Sequence, residues 1–148
     1  MIFDRGLGDL FVVRTSGQIV GPEVLASISY GVAVLSAPLV VVLGHDSCGA
    51  VAAAQSSLLG DMPSAPELRV IIERVLPSLE QARDEGTDTR NGLTAVHVGR
   101  TVDMLSRAGT TLGDAALAGT CAVVGMIYRL ADSRVTVVTS ELAERGAV

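Results

Sequence analysis

Val40-Val41-Val42-Leu43-Gly44-His45-Asp46-Ser47-Cys48-Gly49-Ala50 decides the fold, because an apolar run gives way to a loop and then to a small-residue stretch that reads as a helix. A β-branched run of this kind suits a buried strand, and the carboxyl end of such a strand is where α/β proteins carry their chemistry. The loop holds His45 and Cys48, three residues apart. Both are borderline-soft donors, and the spacing lets them approach one cation from a single turn of backbone. Cys48 is expected in the first turn of the following helix, where the positive end of the helix dipole favours a thiolate. A His-x-x-Cys pair alone is a weak signal, and the plain alternative is a small buried thiol beside a loop histidine. Its place between an apolar strand and an alanine-rich helix favours the metal reading.

Working outward, Leu10-Phe11-Val12-Val13 after Gly8-Asp9 reads as a short buried strand over Leu10 to Arg14. Pro22 opens a helix at a position where proline is tolerated, and Val24, Ile28, Val32 and Leu35 give it an apolar stripe expected to face the sheet. The strand from Leu39 to Leu43 follows, then the His45/Cys48 turn and a helix to about Leu59. Strand, helix, strand, helix implies right-handed crossovers and a parallel sheet. Gly60 to Pro66 is a loop within one domain. Leu68, Ile71, Ile72, Val75 and Leu79 then predict a helix that Pro77 should kink or split. The charged run Glu80 to Arg90 reads as a solvated face or loop before a helix carrying Val98, Val102 and Leu105. Cys121 to Val124 and Val135 to Val138 read as two strands joined by a turn at Ala131 to Arg134.

The 148 residues suit a single domain, 1–148, and 49% hydrophobic residues allow a real core. There is no lysine, net charge is −5 and the arginines form no stripe, so nucleic-acid binding is not expected. The longest apolar stretch, Val32 to Leu43, is about half a membrane span and is broken by Ser36 and Pro38, so no membrane association is expected. Asp4, Arg5 and Asp9 argue against a signal peptide, and two distant cysteines make no disulfide framework. A cytoplasmic location follows as the expectation.

A third ligand within the chain would complete a metal site. His97, between Val96 and Val98, reads as a helix-surface or core-edge histidine, and Cys121 as a small buried hydrophobe. Asp46 reads as a helix cap sooner than as a group that orients the site. Gly6-Leu7-Gly8 is too short for a dinucleotide fingerprint and precedes a strand where that motif follows one.

Four segments in order carry a family resemblance. Gly44-His45-Asp46-Ser47-Cys48-Gly49 resembles the second zinc motif, Gly-His-x-x-Cys-Gly, of the β-class carbonic anhydrases. Gly8 to Gly17 resembles the family's Gly-Asp-Leu-Phe-Val-x-Arg-x-x-Gly, and Ser27 to Val32 its Ser-x-x-Tyr-Ala-Val helix. Val124-Gly125-Met126-Ile127-Tyr128-Arg129-Leu130 resembles its Val-Gly-x-x-Tyr-x-Leu hairpin.

The resemblance implies an α/β fold with a parallel-sheet core flanked by helices, β-carbonic-anhydrase-like. It also implies reversible hydration of carbon dioxide to bicarbonate with one Zn2+ per subunit, held in part by His45 and Cys48. Family members assemble as homodimers or higher homo-oligomers. The family's first zinc motif, Cys-x-Asp-x-Arg, would lie just before Met1-Ile2-Phe3-Asp4-Arg5-Gly6, and the 148 residues contain no such motif. With it would go the third ligand, the Asp/Arg pair that works beside the metal, and the first central strand, which the strands at Leu10–Arg14 and Leu39–Leu43 would flank. The expectation is a chain incomplete at its N-terminus, with no catalytic acid–base residue assigned. The alternative is a non-catalytic carbonic-anhydrase-like fragment or interaction module that uses its exposed strand edges.

Overall fold

The computed structural model describes residues 2–140; Met1 and residues 141–148 of the expected domain lie outside them. A short 3-10 turn at Ser16–Gln18 precedes α1 (Pro22–Ala33), β1 (Leu39–His45), α2 (Gly49–Ser57), α3 (Arg69–Asp84), α4 (Arg90–Leu105), α5 (Thr111–Leu117), β2 (Ala122–Arg129) and β3 (Arg134–Ser140). β1 pairs in parallel with β2 from Leu39↔Ala122 to His45↔Tyr128, and β2 pairs antiparallel with β3. The parallel pair and its helices confirm the expected architecture, with β2 in the centre of a three-stranded sheet. No helix among the described residues is long and apolar enough to cross a membrane.

Val40 and Val42 of β1 pack with Val98, Val102 and Leu105 of α4, Leu112 of α5 and Val123 of β2. Ile28 and Val32 of α1 join this cluster, as their spacing predicts, whereas Leu35 lies beyond the helix and is exposed. A second cluster fills the space between α2 and α3 around Val51, Ala54, Ile72, Val75 and Leu79. Pro77 does not split α3, which runs unbroken through it. Burial of Val75, Ser78, Leu79 and Ala82 around the proline favours helix continuation over the backbone hydrogen bond that proline cannot donate. The charged run divides between the last turn of α3 and the loop before α4.

One expected strand does not form. Residues 10–14 belong to no strand or ladder, and Leu10, Phe11 and Val12 are at least half exposed. A strand exists only through a partner, and no described strand lies against the other edge of β1 for this segment to join. Phe11 instead rests on α1: its ring centroid is 6.4 Å from that of Tyr30, and Cδ1 lies 3.2 Å from where a Cβ on Gly31 would be.

Candidate functional site

The apolar side chains of β1 carry the chain to His45, which is exposed at the strand's end and aligned with Tyr128. Gly44 allows α4 close behind it, since a Cβ there would fall 2.6 Å from Val98 Cγ2. The ladder continues one residue past the strand, with the Asp46 N–H donating to the Tyr128 carbonyl at 3.0 Å. Ser47 then takes a left-handed conformation (φ 56°) that turns the chain into α2.

Asp46 is not the helix cap expected of it. Its Oδ1 accepts the Leu130 N–H at 3.1 Å, tying the turn to the β2–β3 connection, and α2 has no side-chain cap. Cys48, not Asp46, occupies the cap position, one residue before the first helical turn expected for it; its carbonyl accepts the Ala52 N–H at 3.0 Å. The helix's unpaired N–H groups still surround this position. Across the turn between β2 and β3, Asp132 accepts from Arg129 Nε at 2.8 Å and pairs with its Nη2 at 2.6 Å. The Asp132 carboxyl is held below its ordinary range chiefly by that hydrogen bond.

His45 Nδ1 donates to the Asp46 carbonyl at 2.7 Å, which orients the ring and leaves Nε2 as the nitrogen with a free lone pair. Cys48 is 2% exposed and its thiol makes no hydrogen bond among the described residues. A shallow depression of about 620 Å³, lined by Ser47, Gln55, Thr89, Arg90 and Asn91, opens beside the turn. Its contribution from the start of α4 has no signature in sequence.

The remaining candidates lie elsewhere. Cys121 is buried just before β2, at the end of the β1–β2 ladder opposite His45, so about six residues of strand, on the order of 20 Å, separate the two. Burial pushes its thiol up. His97 is not at the surface: it is 4% exposed, and both ring nitrogens are used. Nε2 donates to the Gly17 carbonyl at 2.8 Å, so Nδ1, 2.8 Å from Ser78 Oγ, accepts the hydroxyl proton. Desolvation lowers its pKa, with the Arg100 charge adding to that effect and the Gly17 bond opposing it. Gly17 is left-handed (φ 63°), and a Cβ there would fall 2.6 Å from Ala50 Cβ. His97 thus pins the Ser16–Gln18 turn against the start of α2, with no nitrogen left for a metal. No group of three or more His, Cys, Asp or Glu among the described residues could hold a metal ion.

Residues 1–135 match the family model described as carbonic anhydrase. The chain is 48% identical to the carbonic anhydrase of Mycolicibacterium smegmatis over 149 aligned residues, covering all of this chain and 71% of that protein. It is 42% identical to carbonic anhydrase 2 of Mycobacterium tuberculosis, covering 90% of this chain and 65% of that one. Among solved structures, a tetrameric β-carbonic anhydrase from Sordaria macrospora superposes with a TM-score of 0.78 at 24% identity, over 92% of this chain and 71% of its own. The β-carbonic anhydrase CcaA gives 0.78 at 20% identity, over 92% and 65%. At these identities the superpositions establish the fold.

Proposed function

The chain belongs to the carbonic anhydrase family, and from that premise we propose that it takes part in a zinc-dependent reversible hydration of carbon dioxide to bicarbonate, with His45 and Cys48 as two of the metal's protein ligands. The observation that carries this reading is the oriented His45 ring, whose Nδ1 is spent on the Asp46 carbonyl while Nε2 stays free three residues from a buried thiol. An imidazole nitrogen and a thiolate are donors that zinc prefers.

The donor set is nonetheless incomplete. Zinc takes four ligands, three of them from the protein in a catalytic site, and no group of three or more His, Cys, Asp or Glu among the described residues could hold one. No chemical step is therefore assigned to the metal here. What this chain supplies is the frame: the strand end, the Asp46 bonds that hold the turn, and the close packing at Gly44. Assembly into homo-oligomers, carbon dioxide and bicarbonate as substrates, and a cytoplasmic setting belong to the same proposal. The incomplete donor set is also what favours the second reading, a carbonic-anhydrase-like module without catalysis of its own.

Cobalt substitution tests the ligand assignment. Thiolate-to-cobalt absorption in the near ultraviolet is expected on adding Co2+, weakened in His45→Ala and abolished in Cys48→Ser. Absorption that survives in Cys48→Ser and disappears in Cys121→Ser would move the site to the other cysteine.

A further inference from the structure

A second cleft, of about 220 Å³, opens between α3, α4 and the stretch that follows the Ser16–Gln18 turn, and it shares no residue with the depression beside His45. Arg74 of α3, Arg100 of α4 and Arg107 just beyond α4 line it, over a polar floor of Ser78, His97 and Thr101. No carboxylate is among its lining residues. In a chain with net charge −5, this gathers three of eleven arginines at one place.

Their donors are largely unspent. The ion pairs among the described residues are Arg129 and Arg134 with Asp132, so none of the three cleft arginines is paired with an acid. Arg74 Nη1 makes one long bond, 3.4 Å, to the Val20 carbonyl, and the guanidinium groups of Arg100 and Arg107 donate none among the described residues. The floor does not compete for a ligand. Ser78 gives its proton to His97 Nδ1 and Thr101 donates to the His97 carbonyl at 2.8 Å. Recognition would therefore rest on the arginine forks, whose planar donors match the oxygens of a phosphate group and whose combined charge suits a dianion better than a monoanion. The volume is below the roughly 300 Å³ at which pockets begin to hold drug-sized ligands, which fits a small anionic group.

We infer that this cleft binds a phosphate group, free or as the terminal group of a small metabolite, through Arg74, Arg100 and Arg107.

Calorimetric titration of the metal-free chain with inorganic phosphate, at constant ionic strength, tests it. One saturable site per chain is expected, weakened at least about tenfold in Arg100→Gln/Arg107→Gln and unchanged in Arg83→Gln, which removes the same kind of charge from α3 outside the cleft. Circular dichroism confirms that the variants fold. Glycerol 3-phosphate separates the sources: equal affinity identifies the free ion, and tighter binding identifies an esterified group. Absence of saturable binding overturns the inference, as does an equal loss in Arg83→Gln, which would mark a net-charge effect. Salt-sensitive self-association that disappears in the double variant, without phosphate binding, would overturn it in favour of an acidic surface on a second copy.

Discussion

The chain has two histidines, and their surroundings are opposite. His45 is exposed, uses one ring nitrogen on the carbonyl of the next residue, and keeps the other free. His97 is buried, and its nitrogens bond to Ser78 and Gly17, 19 and 80 residues away. The two regions meet where Gly44, next to His45, packs on Val98, next to His97. A histidine with both nitrogens committed to the fold stabilises it, whereas one oriented locally and left half free can ligate. The same residue type thus holds the scaffold at one place and, in the function proposed above, offers a ligand nitrogen at the other.

The largest effect that would break this contrast is on His97. His97→Ala should cost about 3 kcal/mol in urea unfolding, because it leaves a cavity and orphans the Gly17 carbonyl and the Ser78 hydroxyl. A loss under about 0.5 kcal/mol, the usual range for a surface change, would place His97 with His45. Gly44→Ala tests the link between the regions. The new Cβ would lie 2.6 Å from Val98 Cγ2 and 3.0 Å from Ile127 Cδ1, so a destabilisation of about 2 kcal/mol is expected.

A smaller effect follows from pH. The folded His97 has a pKa below its ordinary 6.5, so the unfolded chain binds more protons. Stability from this group is fully present above pH 6.5 and is lost as pH falls below it, towards the folded pKa. Between about pH 7.5 and 5.5 the wild type should lose more stability than His97→Gln, as read by urea unfolding at the two pH values. Parallel losses in the two proteins would show that another group titrates. Smallest is His45→Ala, expected to change stability by less than about 0.5 kcal/mol while weakening metal binding.

Much of the scaffold is legible locally. The three- and four-residue spacing of Ile28 and Val32, or of Ile72, Val75 and Leu79, marks helix faces, and the β-branched run of β1 and the turn between β2 and β3 mark strands. The segment at 10–14 is misread because an apolar run says nothing about whether a ladder partner exists. Asp46 is misread because Leu130, 84 residues later, competes successfully for its carboxylate. His97 is legible as a non-ligand histidine of the helix surface or core edge, but its partners are not: nothing in Val96-His97-Val98 reveals Ser78 or Gly17. In the candidate site, the place of His45 at a strand end and of Cys48 at the start of a helix is legible; the bonds that orient the turn are not.

Stopped-flow hydration of carbon dioxide, with zinc content measured on the same samples, tests most directly whether the His45–Cys48 turn is part of a metal site and not the whole of one. The 148-residue chain should hold less than one zinc and hydrate carbon dioxide near the uncatalysed rate. The same chain joined to a preceding segment that carries Cys-x-Asp-x-Arg should hold one zinc per subunit and catalyse, with both properties lost in His45→Ala. Tight 1:1 zinc binding with rapid hydration by the 148-residue chain alone would contradict the account.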